Sequence, residues 1–199
     1  MNRKLCTLLF ALCLVPALAF AQNWKDRKYL AGAVPVNEHG VVVFSHDYSV
    51  PGKSRVEIMT ALRNYANNVL MVNENALKDN CCILATDEPN KQLAVRMDEY
   101  LIFKRNAWVL HRTRFLYDLL FDVRDGGFSV KMQRLRYLYL EQEYEGAEPE
   151  RRTAEDWITD AEALSPKGKL LKKTRKFRVF TIDRKDAVFA EAYEAVMGN

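Results

Sequence analysis

From Val109 to Val123 the odd positions Phe115, Tyr117, Leu119, Phe121 and Val123 are apolar, while the even positions Arg112, Arg114, Asp118 and Asp122 carry charge. Side chains that alternate with a period of two point to opposite faces of a strand. The stretch therefore reads as a half-buried strand with one wet face. Asp125-Gly126-Gly127 follows and supplies the positive φ of a tight reversal. Phe128, Val130 and Met132 then hold one parity, and Leu135, Tyr137 and Tyr139 hold the other. One extra residue near Gln133-Arg134 brings both sets to the same face, which predicts a β-bulge and a bent sheet. Trp108 to Leu140 is thus expected to form a long, bent, antiparallel hairpin.

Similar patterns place the other elements. Val42, Phe44, Tyr48 and Val50 share a face in a strand over 41–50, with His46 among them, and Pro51-Gly52 stops it. Ser54 with Glu57 three residues later forms a capping box. Val56, Met59, Leu62, Tyr65, Val69 and Leu70 then recur at helical spacing, which predicts a helix over 55–71. Strands are expected over 81–86 and 92–104. Glu99 interrupts the apolar face of the second and suggests a bend there. The run Glu141 to Glu150 is acidic and rich in breakers, so 141–152 reads as an exposed loop. Thr153 caps a short helix to Leu164. Thr181-Ile182-Asp183 opens a final helix, with Asp183 and Asp186 as favourable charges at its start and Val188, Phe189, Ala192, Tyr193 and Val196 on its apolar face.

The order β-α-β-β-β-β-α-α predicts an α+β domain over 41–199. Its curved antiparallel sheet has about five strands, and two main helices pack on one face. Residues 22–40 read as a leader, polar and flexible over its first part.

Met1 to Ala21 has the form of a signal peptide. Arg3 and Lys4 precede the apolar run Leu5 to Leu18, and Ala19-Phe20-Ala21 is a small-x-small cleavage site. Cleavage after Ala21 predicts an exported protein, periplasmic or secreted, with no transmembrane segment left. It also lowers the formal charge from +4 to about +2. That balance is not the basic bias that nucleic-acid binding requires. Only Cys81 and Cys82 would remain. Neighbours on a strand point to opposite faces, so one inward and one outward thiol is expected, with an intermolecular disulfide as the alternative.

The chemistry-bearing residues are sparse. The three histidines, His39, His46 and His111, lack metal-ligand spacing. No nucleophile elbow or phosphate loop is present, and no cofactor is expected. Carboxylate pairs such as Asp98/Glu99 and Glu155/Asp156 are too common to discriminate. The basic stretch Lys167 to Arg178 reads either as a solvated loop or as a patch for an anionic surface. On the hairpin, Arg112, Arg114, Arg134, Arg136, Tyr137 and Tyr139 form a candidate interaction face, because arginine beside tyrosine suits glycan or protein contact.

Two groups of residues carry a family resemblance. Near the front stand Tyr29-Leu30-Ala31-Gly32-Ala33-Val34-Pro35-Val36, Gly40-Val41-Val42-Val43-Phe44 and Val50-Pro51-Gly52-Lys53-Ser54. Near the end stand Thr153-Ala154-Glu155-Asp156-Trp157-Ile158-Thr159-Asp160, Lys176-Phe177-Arg178 and Thr181-Ile182-Asp183-Arg184-Lys185-Asp186-Ala187-Val188-Phe189. With these the chain resembles secreted Bacteroidetes proteins that form a domain of unknown function with a TATA-binding-protein-like (TBP-like) fold. The resemblance implies that topology and no activity, since function lives in sites rather than folds. The expectation is a non-enzymatic binding module of the cell envelope that uses the open sheet face toward a protein, a glycan or an anionic surface. An envelope enzyme whose site assembles only in the tertiary structure, or a self-associating structural subunit, are the alternatives.

Overall fold

The computed structural model describes residues 24–86, 91–139 and 148–198. In chain order the elements are β1 (Phe44–Ser49), α1 (Arg55–Tyr65), β2 (Cys82–Thr86), β3 (Gln92–Arg105), β4 (Leu110–Arg124), β5 (Gly127–Tyr139), β6 (Glu150–Thr153), α2 (Ala154–Trp157), α3 (Asp160–Ala163) and α4 (Arg175–Met197). The strands form one antiparallel sheet in the order β1-β5-β4-β3-β2. β6 pairs with the same edge of β5 as β1 does: β1 faces Gly127 to Met132 and β6 faces Arg136 to Tyr139. α1 and α4 pack against each other on one face, α1 over β4 and β5, α4 over β3 and β1.

The hairpin follows its pattern. Phe115, Tyr117, Leu119, Phe121 and Val123 of β4 are buried with Phe128, Val130 and Met132 of β5. Leu116 lies opposite Arg136 and Asp118 opposite Gln133, so β5 carries one residue more than β4 there. Arg134 takes φ +55° at that point, which makes it the bulge residue. The bulge lies between the β1-paired and β6-paired parts of β5 and lets a single edge take two partners. At the turn Gly126 has φ +72°, and a Cβ on Gly127 would stand 2.6 Å from the Tyr48 carbonyl oxygen. Only glycine fits that approach. The Asp125 carboxylate accepts from Arg55 N at 2.7 Å, tying the hairpin turn to the start of α1.

Several boundaries differ from the pattern. A sixth strand, β6, occupies the end of the stretch expected to be loop. Glu150-Arg151-Arg152-Thr153 has no apolar residue to reveal it, and edge pairing supplies its hydrogen bonds instead. The rest of the acidic run, 140–147, lies outside the described residues. α1 is continued by a π-helical turn over Ala66–Leu70. The extra residue in that turn brings Leu70 inward and leaves Val69 51% exposed. Val56 is also exposed, while Ile58 takes a core position.

The last helix starts at Arg175 rather than Thr181, because Phe177 and Val179 in the basic stretch bury their side chains. Asp183 and Asp186 are therefore mid-helix and cap nothing. Residues 24–36 are packed rather than free of the domain: Tyr29 and Val34 belong to the core, and Val36 bridges Val42. Cys81 is half-buried and Cys82 exposed, both as free thiols, which matches the expected inward and outward pair. No helix among the described residues is long and apolar enough to cross a membrane.

Candidate functional site

The face of the sheet away from the helices carries charge in rows. Arg114 grips Asp98 through Nε (2.7 Å) and Nη2 (2.6 Å). Asp118 takes Arg96 at 3.1 Å and Arg134 at 3.4 Å. Asp122 takes Gln92 at 2.6 Å and Lys131 at 3.5 Å. The guanidinium of Arg112 lies 3.7 Å from the centre of the Tyr100 ring. Asp98 and Asp118 are buried beneath these side chains, so the charges are neutralised strand to strand.

The six residues of the expected interaction face are thus divided by the sheet. Arg112, Arg114, Arg134 and Arg136 stand on the open face. Tyr137 and Tyr139 do not, because the parity that turns Leu135 into the core after the bulge takes them along. Tyr137 is fully buried, with its hydroxyl 2.7 Å from Thr181 Oγ1. Burial pushes that phenol's pKa up. Tyr139 is half-buried beside Trp157 and Phe177, and its hydroxyl meets His111 Nε2 at 2.8 Å.

Of the four arginines, Arg136 reaches no carboxylate among the described residues. Beside it, on the strand the pattern missed, Arg151 is in the same state. Leu138 faces Arg151 across the β5–β6 ladder, and Arg136 faces Thr153. Both guanidinium groups therefore stand on the open face beside one apolar floor. That floor, Leu116 and Leu138, and the walls of Arg136, Arg151, Arg152 and Thr153 enclose a hollow of about 190 Å³. Arg152 is held by Glu150 at 2.7 Å and 2.9 Å. Like charges on neighbouring strands repel, and here no carboxylate among the described residues offsets the two guanidinium groups.

A second polar group lies under α4. Glu99, on the helix side of β3, is 1% exposed. Its Oε1 accepts from Tyr117 Oη (2.8 Å) and Arg184 Nε (2.7 Å), and its Oε2 from Arg184 Nη2 (3.0 Å) and Asn73 Nδ2 (3.1 Å). Glu191 takes Tyr65 Oη at 2.8 Å and lies 3.5 Å from Arg184 Nη1. Burial first, then the neighbouring carboxylates, raises the pKa of Tyr65 and of Tyr117. An open cavity of about 390 Å³ adjoins the group, lined in part by Asn75, Glu99, Phe180, Asp183 and Arg184. A carboxylate offers about four lone-pair positions, and Glu99 has a donor on each. Two of these donors come from Arg184 of α4, so the cluster fastens α4 to the sheet. Asp183 is likewise engaged, by Lys28 Nζ at 2.7 Å and Tyr29 Oη at 2.8 Å. The alternation of β3 showed Glu99 only as an interruption; its partner stands 85 residues away.

Comparison with known proteins gives one consistent picture. Residues 44–138 match the family model "Domain of unknown function (DUF4468) with TBP-like fold". A crystal structure of a DUF4468 family protein from Bacteroides ovatus is 30% identical, with 85% of this chain and 93% of that one aligned at a TM-score of 0.74. A TBP-like protein from Parabacteroides distasonis is 18% identical over 82% of this chain and 97% of that one, with a TM-score of 0.66, and shares the fold. No curated protein matches the chain.

Proposed function

The chain belongs to the DUF4468 family, a domain of unknown function with TBP-like fold, and for this member we propose a role as an exported, non-enzymatic interaction module that takes an acidic group of an envelope partner on its open sheet face. The observation that carries the reading is the Arg136–Arg151 hollow. Every other basic residue of the open face named above has a carboxylate or an aromatic ring. These two share a leucine floor and no anion among the described residues. A guanidinium presents a planar fork that matches a carboxylate or phosphate, and the floor takes the apolar part of the ligand. Export rests on the form of residues 1–21. Glu99, the buried carboxylate beside the larger cavity, is held by four protein donors, in line with binding rather than catalysis.

The test is calorimetric titration of the protein, expressed from the full chain, with galacturonate oligomers and with a glutamate-rich peptide. Binding to one of them should weaken by roughly a hundredfold in Arg136→Glu/Arg151→Glu, since each charge-assisted contact contributes about 1.5–3 kcal/mol. The circular dichroism spectrum should not change. Failure of both ligands to bind, or equal binding by the variant, would reject the reading.

One observation favours self-association as a second reading. β2 ends the sheet, and Cys82 at its start is exposed. A terminal strand presents unpaired backbone groups to a twin. A dimer seen by light scattering and abolished by reductant or Cys82→Ser would support it; a monomer under oxidising conditions would remove it.

A further inference from the structure

The β3–β4 turn is built to hold a tryptophan out. Asn106 Oδ1 accepts from Trp108 N at 3.0 Å and Val109 N at 2.7 Å, and Asn106 N donates to Val109 O at 3.0 Å. Trp108 is 93% exposed, with Val109 at 43% and Leu110 at 49% beside it. Solitary exposed leucines are ordinary, but a contiguous Trp-Val-Leu tip on a long hairpin is an apolar patch aimed at an apolar neighbour.

Two segments that meet at this end of the molecule carry charge of one sign. Residues 100–117 hold Lys104, Arg105, Arg112 and Arg114 and no Asp or Glu. Residues 165–182 hold seven Lys or Arg and again no acid. The fold brings these two stretches together. Lys176 Nζ donates to His111 Nδ1 at 3.1 Å, and the Phe103 ring packs 5.0 Å and 5.2 Å from Phe177 and Phe180. Leu171, 39% exposed, stands one turn before α4, next to exposed Lys172 and Lys173.

The geometry points to peripheral docking of this end of the molecule on an anionic phospholipid bilayer, with the Trp108 tip in the headgroup layer and Lys104, Arg105, Lys172 and Lys173 on the lipid phosphates. Charge complementarity decides between occupants. Protein interfaces are depleted of charge at their core, whereas a uniformly anionic bilayer surface attracts cations gathered beside an apolar tip. Tryptophan is suited to that layer because one end of the indole is apolar and the other carries an N–H donor. Trp108 is almost fully exposed at the turn between two long strands, which fits insertion between headgroups. This inference concerns a different site from the Arg136–Arg151 hollow and does not depend on it.

Co-sedimentation with phosphatidylcholine vesicles, with and without phosphatidylglycerol, tests it. The protein should sediment with the anionic vesicles and not with the neutral ones, and its tryptophan emission should shift to the blue. Trp108→Ser should abolish the shift and weaken sedimentation by roughly tenfold. Lys104→Glu/Arg105→Glu should weaken it by at least that factor, at about 1 kcal/mol per cation at the surface. The intact protein and every variant share the same N-terminus, so any binding by Met1–Ala21 would be common to all of them. Intact protein left in the supernatant with anionic vesicles, as expected if Trp108 meets a protein instead, would overturn the proposal. Equal sedimentation of Trp108→Ser, folded by circular dichroism, would do the same.

Discussion

The guanidinium of Arg184 lies against the carboxylate of Glu99 with Nε–Oε1 at 2.7 Å and Nη2–Oε2 at 3.0 Å, on the buried side of the sheet. The position on β3 that alternation reserves for an apolar side chain thus holds an ion pair, and the pair joins the centre of α4 to the centre of the sheet. Removing one partner from such a pair leaves a buried charge, which costs about 3–5 kcal/mol. Replacing both with apolar side chains removes the desolvation cost along with the attraction. Arg184→Met should therefore lower the urea midpoint strongly, and Glu99→Leu/Arg184→Met should recover most of the loss. An unchanged midpoint in Arg184→Met would show that Glu99 is stabilised by its other donors alone.

Three of the buried phenols, Tyr65, Tyr117 and Tyr137, are expected to weaken the fold at alkaline pH. The pKa of each of Tyr65, Tyr117 and Tyr137 is raised above the ordinary 10.0, with burial as the leading cause. The sign follows from where protons are held. Below pH 10 the phenols are neutral in both states and their contribution is fully present. Above it the unfolded chain ionises while the native one does not, so stability falls as pH rises. Tyrosinate absorbance should show a group of residues that titrate only together with loss of near-ultraviolet circular dichroism. Tyr117→Phe should move that transition to higher pH relative to its own neutral-pH stability. A smooth titration of every tyrosine in the folded protein would refute the account.

Arg178 has a side chain with no solvent exposure. Its guanidinium donates to the carbonyls of Tyr29 (2.7 Å), Leu30 (2.6 Å) and Ile158 (2.6 Å) and to Asp160 (2.7 Å). It ties the segment before β1 and the α2–α3 connection to α4. Arg178→Met would leave those three carbonyls without this donor, at about 1–3 kcal/mol for each group left buried and unsatisfied. The expected result is a loss of several kcal/mol in denaturant unfolding, with early tryptic cleavage at Lys25, Arg27 or Lys28. Arg178→Lys should be intermediate, since an ammonium cannot span the fork. Wild-type resistance to trypsin in Arg178→Met would show that Tyr29 anchors the segment without it.

The parts of this fold that were legible from sequence are those whose cause is local. The period of two in β4, the Asp125-Gly126-Gly127 turn, the Ser54–Glu57 capping box and the parity slip before Leu135 each act within a few residues, and each appears where the pattern places it. The misses have a common physical cause, which is that a distant partner decides them. β6 is made by the free edge of β5, the early start of α4 by the pocket that takes Phe177, the packing of Tyr29 by Arg178 and Asp183, and the burial of Glu99 by Arg184. On the candidate face the parity slip places Tyr137 and Tyr139 with Leu135 on the apolar side, and grouping them with Arg136 on the open face runs against it. The pattern missed Arg151, the arginine that makes the hollow, because that strand has no hydrophobic signature.

The bulge offers the most local test of how the sheet gets its curve. Arg134 sits at φ +55°, the only non-glycine residue at positive φ among those described. An L-residue there costs roughly 1–2 kcal/mol, a cost glycine avoids. Its ion pair with Asp118, at 3.4 Å and with the Arg134 side chain 64% exposed, returns little because water screens it. The backbone term should win. Arg134→Gly is expected to raise stability by up to about 1 kcal/mol, reduced by the extra freedom glycine gives the unfolded chain. Arg134→Val should lower stability by more than the lost ion pair explains, because a β-branched side chain is least tolerated at positive φ. Differential scanning calorimetry of the two variants reads both signs. If valine were tolerated as well as glycine, the bulge would have another register available, and curvature in this sheet would come from the packing of α1 and α4 rather than from Arg134.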